Sequence, residues 1–279
     1  MNAHNFLAFD LGADSGRAVI GRLENNRLTL EEVGRFPNKM ITIDGHLHWN
    51  IFHLFEEIKH CLKFCASEID ESPESIALDT WGVDYALLAS DGNILGLPYV
   101  YRDKRIEGAM DEFIRKIPRE QIYEWTGIQF LPLNTLYQLF AAKRANSSLS
   151  SIASDLLFMP DLFNYLLTEQ KKTEFTIATT SQLFNPLTNE WEDRLFEALG
   201  LSKSIMQEVI PTGTILGNLS KNVGREVGLN ELPVIAVASH DTGSAVAAVP
   251  SEGENWVYIS SGTWSLMGIE SQAPIISEI

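Results

Sequence analysis

The chain has 279 residues, 45% of them hydrophobic and 21% charged, which is apolar material for one large domain or two smaller ones. It carries 37 Asp and Glu against 21 Lys and Arg, a formal net charge of −16. Such a surface repels polyanions and argues against nucleic acid or an anionic membrane as partner. No apolar run is long enough for a membrane span, and the start lacks the charged and apolar regions of a secretory signal. Only two cysteines occur, Cys61 and Cys65, four apart on one face of a helical pattern. A buried, reduced pair in a cytoplasmic protein is the expectation.

The first elements read as a meander of three strands over residues 5–36, "NFLAFD", "RAVIGRL" and "RLTLEEVGRF", with "ENN" as the second turn. Ile51, Leu54, Phe55, Ile58, Cys61, Leu62, Cys65 and Ile69 then fall at helical spacing, with Asn50 placed to cap the helix. "SIALDT" predicts a short buried strand. "DYALLAS" and "ILGLPYVY" predict two more around the turn Asp91-Gly92-Asn93. Three antiparallel strands, a helix and a further strand open an α/β fold of the actin-like ATPase (ribonuclease H-like) type, a mixed sheet flanked by helices. Residues 106–230 read as mostly helical, most clearly in "NTLYQLFAAKRA" and "PDLFNYLLTE", where Asp161 after Pro160 is placed to cap the second. "PVIAVAS" predicts a buried strand and "HDTGSAVAAV" a helix of small residues. "PSEGEN" reads as a linker, and "WVYISSGTWSLMGIE" starts new strands. This last segment shares with "FLAFDLGADSGRAVIG" the plan of strand, small polar turn and strand.

Four stretches carry candidate chemistry. In "DLGADSGR", Gly12 and Gly16 allow a tight turn and close approach of a ligand, while successive N–H groups form an anion nest. Ser15 adds a hydroxyl and Arg17 a planar cation suited to phosphate. Asp10 would repel phosphate unless a cation such as hydrated Mg²⁺ lay between them. Standing alone, the stretch reads first as an ordinary hairpin turn. In "ASHDTGSA", Asp241 stands where a strand meets a helix, as a simple N-cap or as a carboxylate able to take a proton from a substrate hydroxyl. His240 and Thr242 flank it. "SSGTW" offers Ser260 to Thr263 as a second phosphate turn. In "LDTWGVDYALL", Trp81 and Gly82 offer either a sugar-binding edge or a buried indole beside a turn.

In company and in this order, "DLGADSGR", "DTWGVDYALL", "YRDKR", "GIQFLPLNTLYQL", "LLFMPDLFNYLLT", "VASHDTGSA" and "SSGTWSLMG" resemble the FGGY carbohydrate kinases along nearly the whole chain. The finer pattern is that of members acting on L-rhamnulose, since others carry different polar residues at Trp81-Gly82. The resemblance implies phosphorylation of the 1-hydroxyl of L-rhamnulose by ATP with Mg²⁺. It implies Asp241 as general base and Gly82, His240, Asp241 and Thr242 as sugar residues. Ala13, Asp14, Ser15, Gly16, Arg17 and Thr263 fall to the ATP phosphates, and Asp10 to Mg²⁺. It also implies that residues 1–250 are the N-terminal, sugar-binding domain and that 251–279 begin an incomplete second copy of the fold, the nucleotide-binding domain. The alternatives are a kinase of the family for another ketose, L-fuculose or xylulose, and a truncated, non-catalytic sugar-binding module.

Overall fold

The computed structural model describes all residues except 1–3, 70–71, 146–147, 149–151, 230, 254–255, 262–264 and 278–279. Strands β1 (His4–Leu11), β2 (Ser15–Glu24) and β3 (Arg27–Pro37) form the predicted antiparallel meander. Asn25 and Asn26 both take left-handed backbone, φ 53° and 58°, as a two-residue turn matched to strand twist requires. A small hairpin, β4 (Met40–Ile43) with β5 (His46–Trp49), leads into helix α1 (Ile51–Glu68). Asn50 caps α1 as expected, its side chain accepting from the His53 N–H. Cys61 and Cys65 are free thiols on its buried face, and burial pushes both up to about 11, so both stay protonated.

Strand β6 (Ser75–Thr80) returns parallel to β1, pairing Asp10 with Asp79 and Leu11 with Thr80. Strand β7 (Tyr85–Leu88) follows, and the segment after the turn at Asp91-Gly92-Asn93 pairs with it only at its start, through Asn93 and Leu95. Residues 94–101 make only isolated bridges at Ile94 and Tyr99. The other edge of β7 carries the distant β8 (Asp155–Phe158), antiparallel. A continuous strand over 94–101 is therefore corrected to an irregular segment; Gly96 with φ 78° and Pro98 break its ladder.

The middle is helical, as expected, but laced with short strands. Helices α2 (Ala109–Ile114), α3 (Arg119–Thr126) and α4 (Thr135–Arg144) precede β8, and α5 (Met159–Thr168) follows it directly. The expectation for Asp161 is also corrected. Phe158 occupies the cap position of α5, and Asp161 lies buried inside the first turn, accepting a hydrogen bond from the Glu174 N–H at 3.3 Å. Two-residue strands β9 (Thr173–Glu174), β10 (Phe184–Asn185), β11 (Glu190–Trp191) and β12 (Val209–Ile210) alternate with α6 (Phe175–Thr180) and α7 (Asp193–Leu199). Strand β13 (Thr214–Asn218), helix α8 (Lys221–Val227) and strand β14 (Pro233–Ala236) bring the chain back to the main sheet.

That sheet has the order β13-β14-β6-β1-β2-β3, with β14, β6 and β1 parallel at its centre. One core surrounds it, from Leu7, Phe9 and Ile20 to Ile58, Leu78 and Val234. A second core, around Phe113, Tyr137, Phe158 and Phe196, gathers the helices. Helix α9 (Asp241–Ala247) leaves the end of β14, and the hairpin β15 (Val257–Ser261) with β16 (Ser265–Ile269) packs against it. Parallel strands that end together leave a crevice beyond their carboxyl ends, where ligand sites of open α/β sheets form.

The first turn is tighter in packing than in backbone. Only residues 12–14 are loop; Ser15, Gly16 and Arg17 already belong to β2. Gly16 needs no unusual φ; a side chain there would meet Leu11 Cδ2 at 2.8 Å and the Phe36 ring closer still. Gly16→Ala is expected to cost about 1–3 kcal/mol by overpacking, read as a lower denaturant midpoint, and the same substitution is expected to cost less when made in a Phe36→Ala background.

Candidate functional site

A cleft of about 940 Å³ opens beyond the carboxyl ends of β1, β6 and β14. Asp10 enters it from the end of β1, Ala13 from the first turn, Arg17 from β2, Asp79 from the end of β6 with Trp81, Gly82 and Val83 just beyond, and His240 to Thr242 from the start of α9. The far wall comes from the loop before α4, from Thr179 and Thr180 on α6, and from Ser260, Ser261, Ser265 and Leu266 of the last hairpin. The structure thus brings Asp10, Ala13, Arg17, Gly82, His240, Asp241 and Thr242 to one space. Asp14, Ser15 and Gly16 lie behind it in the turn and the strand. Thr263 lies outside the described residues.

Arg17 stands opposite Asp10 across the hairpin and grips it, with Nε and Nη2 at 2.8 and 2.5 Å from the same oxygen, Oδ2. The turn between them is closed by Gly12 N–H to the Ser15 carbonyl at 2.9 Å. It is moored to Asn38, whose side-chain amide donates to the Gly12 carbonyl and whose N–H donates to the Asp14 carbonyl.

Asp241 opens α9 at its first helical position, with His240 at the cap, so the carboxylate is not spent on capping. Its Oδ1 accepts from the Thr242 N–H at 2.5 Å and the Thr242 hydroxyl at 3.1 Å, and His240 Nε2 lies 3.3 Å away. None of these contacts falls on Oδ2. Burial holds the His240 imidazole below its ordinary value, against the opposing charges of Asp241 and Glu174. Gly82 faces this group directly: a Cβ there would stand 3.1 Å from Thr180 Cγ2 and 3.3 Å from His240 Cδ2.

The wall carrying Trp81 is built on Asp84, which is fully buried. Its Oδ2 accepts from Trp49 Nε1 at 2.6 Å, Trp81 Nε1 at 3.1 Å and the Tyr101 N–H at 3.1 Å, while Oδ1 accepts from Gln138 Nε2 at 2.7 Å. The two indoles lie 4.2 Å apart, tilted by 39°. Trp81 is thus both the buried indole and part of the cleft wall. Val83 between Gly82 and Asp84 is held at φ 66°, a strained conformation for a β-branched residue. Its N–H donates to the Thr180 hydroxyl and its carbonyl accepts from the Thr135 hydroxyl.

Asp79 is the site residue that the motif reading missed, although "SIALD" ends in an Asp just as "FLAFD" does. Its Oδ1 is buried, with no hydrogen-bond partner among the described residues. Burial first, and the neighbouring Asp10 charge next, push it up to about 7, with Asp241 adding to this and Ser244 and Arg17 opposing. Among the described residues no three His, Cys, Asp or Glu side chains form a metal cage. Magnesium does not require one; it binds through one or two carboxylates together with water and phosphate oxygens. The all-oxygen pair Asp10 and Asp79, with one oxygen lacking a protein partner, fits such an ion.

Among known families, the FGGY family of carbohydrate kinases, N-terminal domain, matches residues 5–248. A protein of Bacteroides thetaiotaomicron named rhamnulokinase is 47% identical over 273 residues, covering 98% of this chain and 56% of that protein. The chain spans about half the length of the curated relatives it matches. In fold it is similar to a carbohydrate kinase from Novosphingobium aromaticivorans, with a TM-score of 0.82 at 20% identity, over 99% of this chain and 58% of that one. It is also similar to Plasmodium falciparum glycerol kinase, determined with ADP, with a TM-score of 0.73 at 14% identity, over 84% and 48%. Among the described residues no helix is long and apolar enough to cross a membrane.

The raised Asp79 has a consequence for stability. Between about pH 4 and 7 the folded chain holds a proton on Asp79 that the unfolded chain has released, so stability falls as pH rises through that window. Asp79→Asn removes the ionisation. In metal-free buffer its Tm is expected to match the wild type near pH 4 and to exceed it by roughly 7 °C, about 4 kcal/mol at this chain length, at pH 7.5. Equal Tm differences at both pH values would contradict this.

Proposed function

The chain belongs to the FGGY family of carbohydrate kinases, and from that premise we propose that its activity is transfer of the γ-phosphoryl group of ATP to the 1-hydroxyl of L-rhamnulose. The product is L-rhamnulose 1-phosphate. The observation that carries the reaction is the meeting, in one cleft, of a turn with a cationic Arg17, a sugar-sized wall at Trp81 and Gly82, and Asp241 between them. The choice of sugar rests on the 47% identity to a protein named rhamnulokinase across 98% of this chain.

Phosphoryl transfer asks little covalent chemistry of a protein; positioning and charge stabilisation carry it. Asp241 takes the proton of the attacking hydroxyl through Oδ2, while Thr242 and His240 hold Oδ1. Gly82 leaves room for the sugar beside His240, since any side chain would crowd Thr180 and the imidazole. Ala13 and Arg17 face the phosphates. Mg²⁺, when bound, neutralises phosphate charge, and Asp10 with Asp79 are the residues that would hold it. The structurally similar glycerol kinase was determined with ADP, in keeping with ATP as donor.

We assign residues 1–250 to the sugar-binding domain and 251–279 to the start of the nucleotide-binding domain. The family match ends at residue 248. The hairpin beyond it exposes Val257, Ile259, Met267 and Ile269, each more than half accessible. The pairs Val257–Ile269 and Ile259–Met267 form one apolar face, as an edge of a larger unit would.

The test is turnover of L-rhamnulose, with L-fuculose and xylulose alongside, by the longest protein the gene encodes. L-rhamnulose is expected to give the highest kcat/KM. Asp241→Asn is expected to lower kcat by ~10²–10⁴-fold with the ketose KM within about threefold. Unchanged kcat would remove Asp241 from its role, and a higher kcat/KM for another ketose would reassign the substrate.

A further inference from the structure

Glu174 lies outside the cleft lining, yet it is the most heavily bonded carboxylate behind it. It is 1% exposed, ends β9 and caps α6. Its Oε2 accepts from the Thr176 N–H at 2.9 Å, the Thr176 hydroxyl at 2.6 Å, the Ile177 N–H at 3.4 Å and, 65 residues away, the Ser239 N–H at 3.0 Å. Its Oε1 accepts from the Thr212 hydroxyl. A helix cap needs only the Thr176 and Ile177 amides. The bonds to Ser239 and Thr212 serve another purpose.

That purpose is visible at the start of α9. Thr176 Oγ1, having given its hydrogen to Glu174, accepts the His240 N–H at 3.1 Å. The Ser239 carbonyl is held from the opposite side by the Thr80 N–H at 2.9 Å. The two peptide units before Asp241 are therefore clamped between the end of β6 and one buried carboxylate. Residues 237–239 have no regular structure, so the clamp replaces a ladder. The same carboxylate starts α6, which carries Thr179 and Thr180 into the cleft, and Thr180 holds the strained Val83.

We propose that Glu174 is a positioning residue for the general base: acting through Ser239 and through the Thr176 hydroxyl to His240, it sets where the Asp241 carboxylate stands. The inference rests on the kinase reading for its catalytic consequence, and on geometry alone for its structural one. A displacement of about 1 Å at a reacting group can cost ~10²-fold in rate, which is the effect expected of losing this clamp.

Two variants and two readouts test it. Glu174→Ala removes the acceptor. Thr176→Val removes only the link to His240 and keeps the shape, so it carries the test if the first variant does not fold. Amide exchange in the 279-residue chain is expected to quicken at least tenfold at Ser239 and His240 in Glu174→Ala, and at His240 in Thr176→Val, with α1 unchanged. In the longest protein the gene encodes, kcat is expected to fall about 10²-fold and tenfold respectively, with the ketose KM within threefold. Neither variant is expected to lower the rate further in an Asp241→Asn background, and Glu174→Gln, which keeps one acceptor oxygen, is expected to recover most of the loss. Unchanged exchange in both variants, or losses that multiply with Asp241→Asn, would overturn the proposal. A wild type that turns over no ketose would defeat the kinase reading instead, and the exchange data would still decide the clamp.

Discussion

The parallel pairing of β1 with β6 puts Asp10 and Asp79 side by side at the ends of neighbouring strands, and the cleft is arranged around that fact. Two carboxylates at adjacent strand ends repel each other, and burial makes the repulsion worse. The hairpin answers from one side: β2 sets Arg17 opposite Asp10, where the guanidinium grips it. No such cation reaches the buried oxygen of Asp79, and the carboxyl answers by holding its proton to higher pH. A site that concentrates negative charge and then leaves one oxygen without a partner among the described residues would suit a cation. An anionic ligand alone would find the same cleft hostile.

The walls depend on a second device. Loops that leave the sheet have backbone N–H groups and indole N–H groups to satisfy, and no strand nearby to satisfy them. Asp84 collects four N–H donors from Trp49, Trp81, Tyr101 and Gln138, and Glu174 does the same for α6 and the approach to α9. In each case the hydrogen bonds come from neutral donors rather than from a cation. A buried charge is costly when unpaired, but one that draws in several donors fixes several segments at once. Deleting such a group strands every donor it served. The strain at Val83 persists because Asp84 follows it and Thr180 and Thr135 hold its peptide groups.

Much of this is legible in the sequence, and the parts that are not share a cause. The meander, the capped helix after Asn50 and the strand-to-helix junction at Asp241 follow from local pattern: alternation, helical spacing and a cap. Residues 94–101 mislead because their alternating apolar residues suit a strand, while Gly96 and Pro98 break the ladder that Leu95 begins with Leu87. Asp161 looks like a cap because Pro160 precedes it, yet the helix starts at Met159 and the side chain turns toward Glu174. Gly16 looks like a ligand-facing glycine, and its absent side chain instead makes room for Phe36. Asp79 and Glu174 carry their roles through partners that no window of sequence contains.

Charge at the catalytic end shows why these distant supports matter. His240 stands 3.3 Å from Asp241, and a cationic imidazole there would draw off the negative charge that the proposed base needs. Burial holds the imidazole below its ordinary value, so near neutral pH it faces Asp241 uncharged. It then orients Oδ1 as a dipole, together with the Thr242 N–H and hydroxyl. With Oδ1 occupied by three neighbours, the proposed proton transfer falls to Oδ2, whose direction is set by the backbone from Ser239 to Thr242. A short helix of seven residues, with small side chains and little burial of its own, cannot hold that direction by packing. The fixed points are the peptide groups before it, held by Thr80 on one side and by Glu174 and Thr176 on the other. In the proposed phosphoryl transfer, which would gain its rate from placement, the aim of Asp241 therefore depends on residues outside the cleft lining.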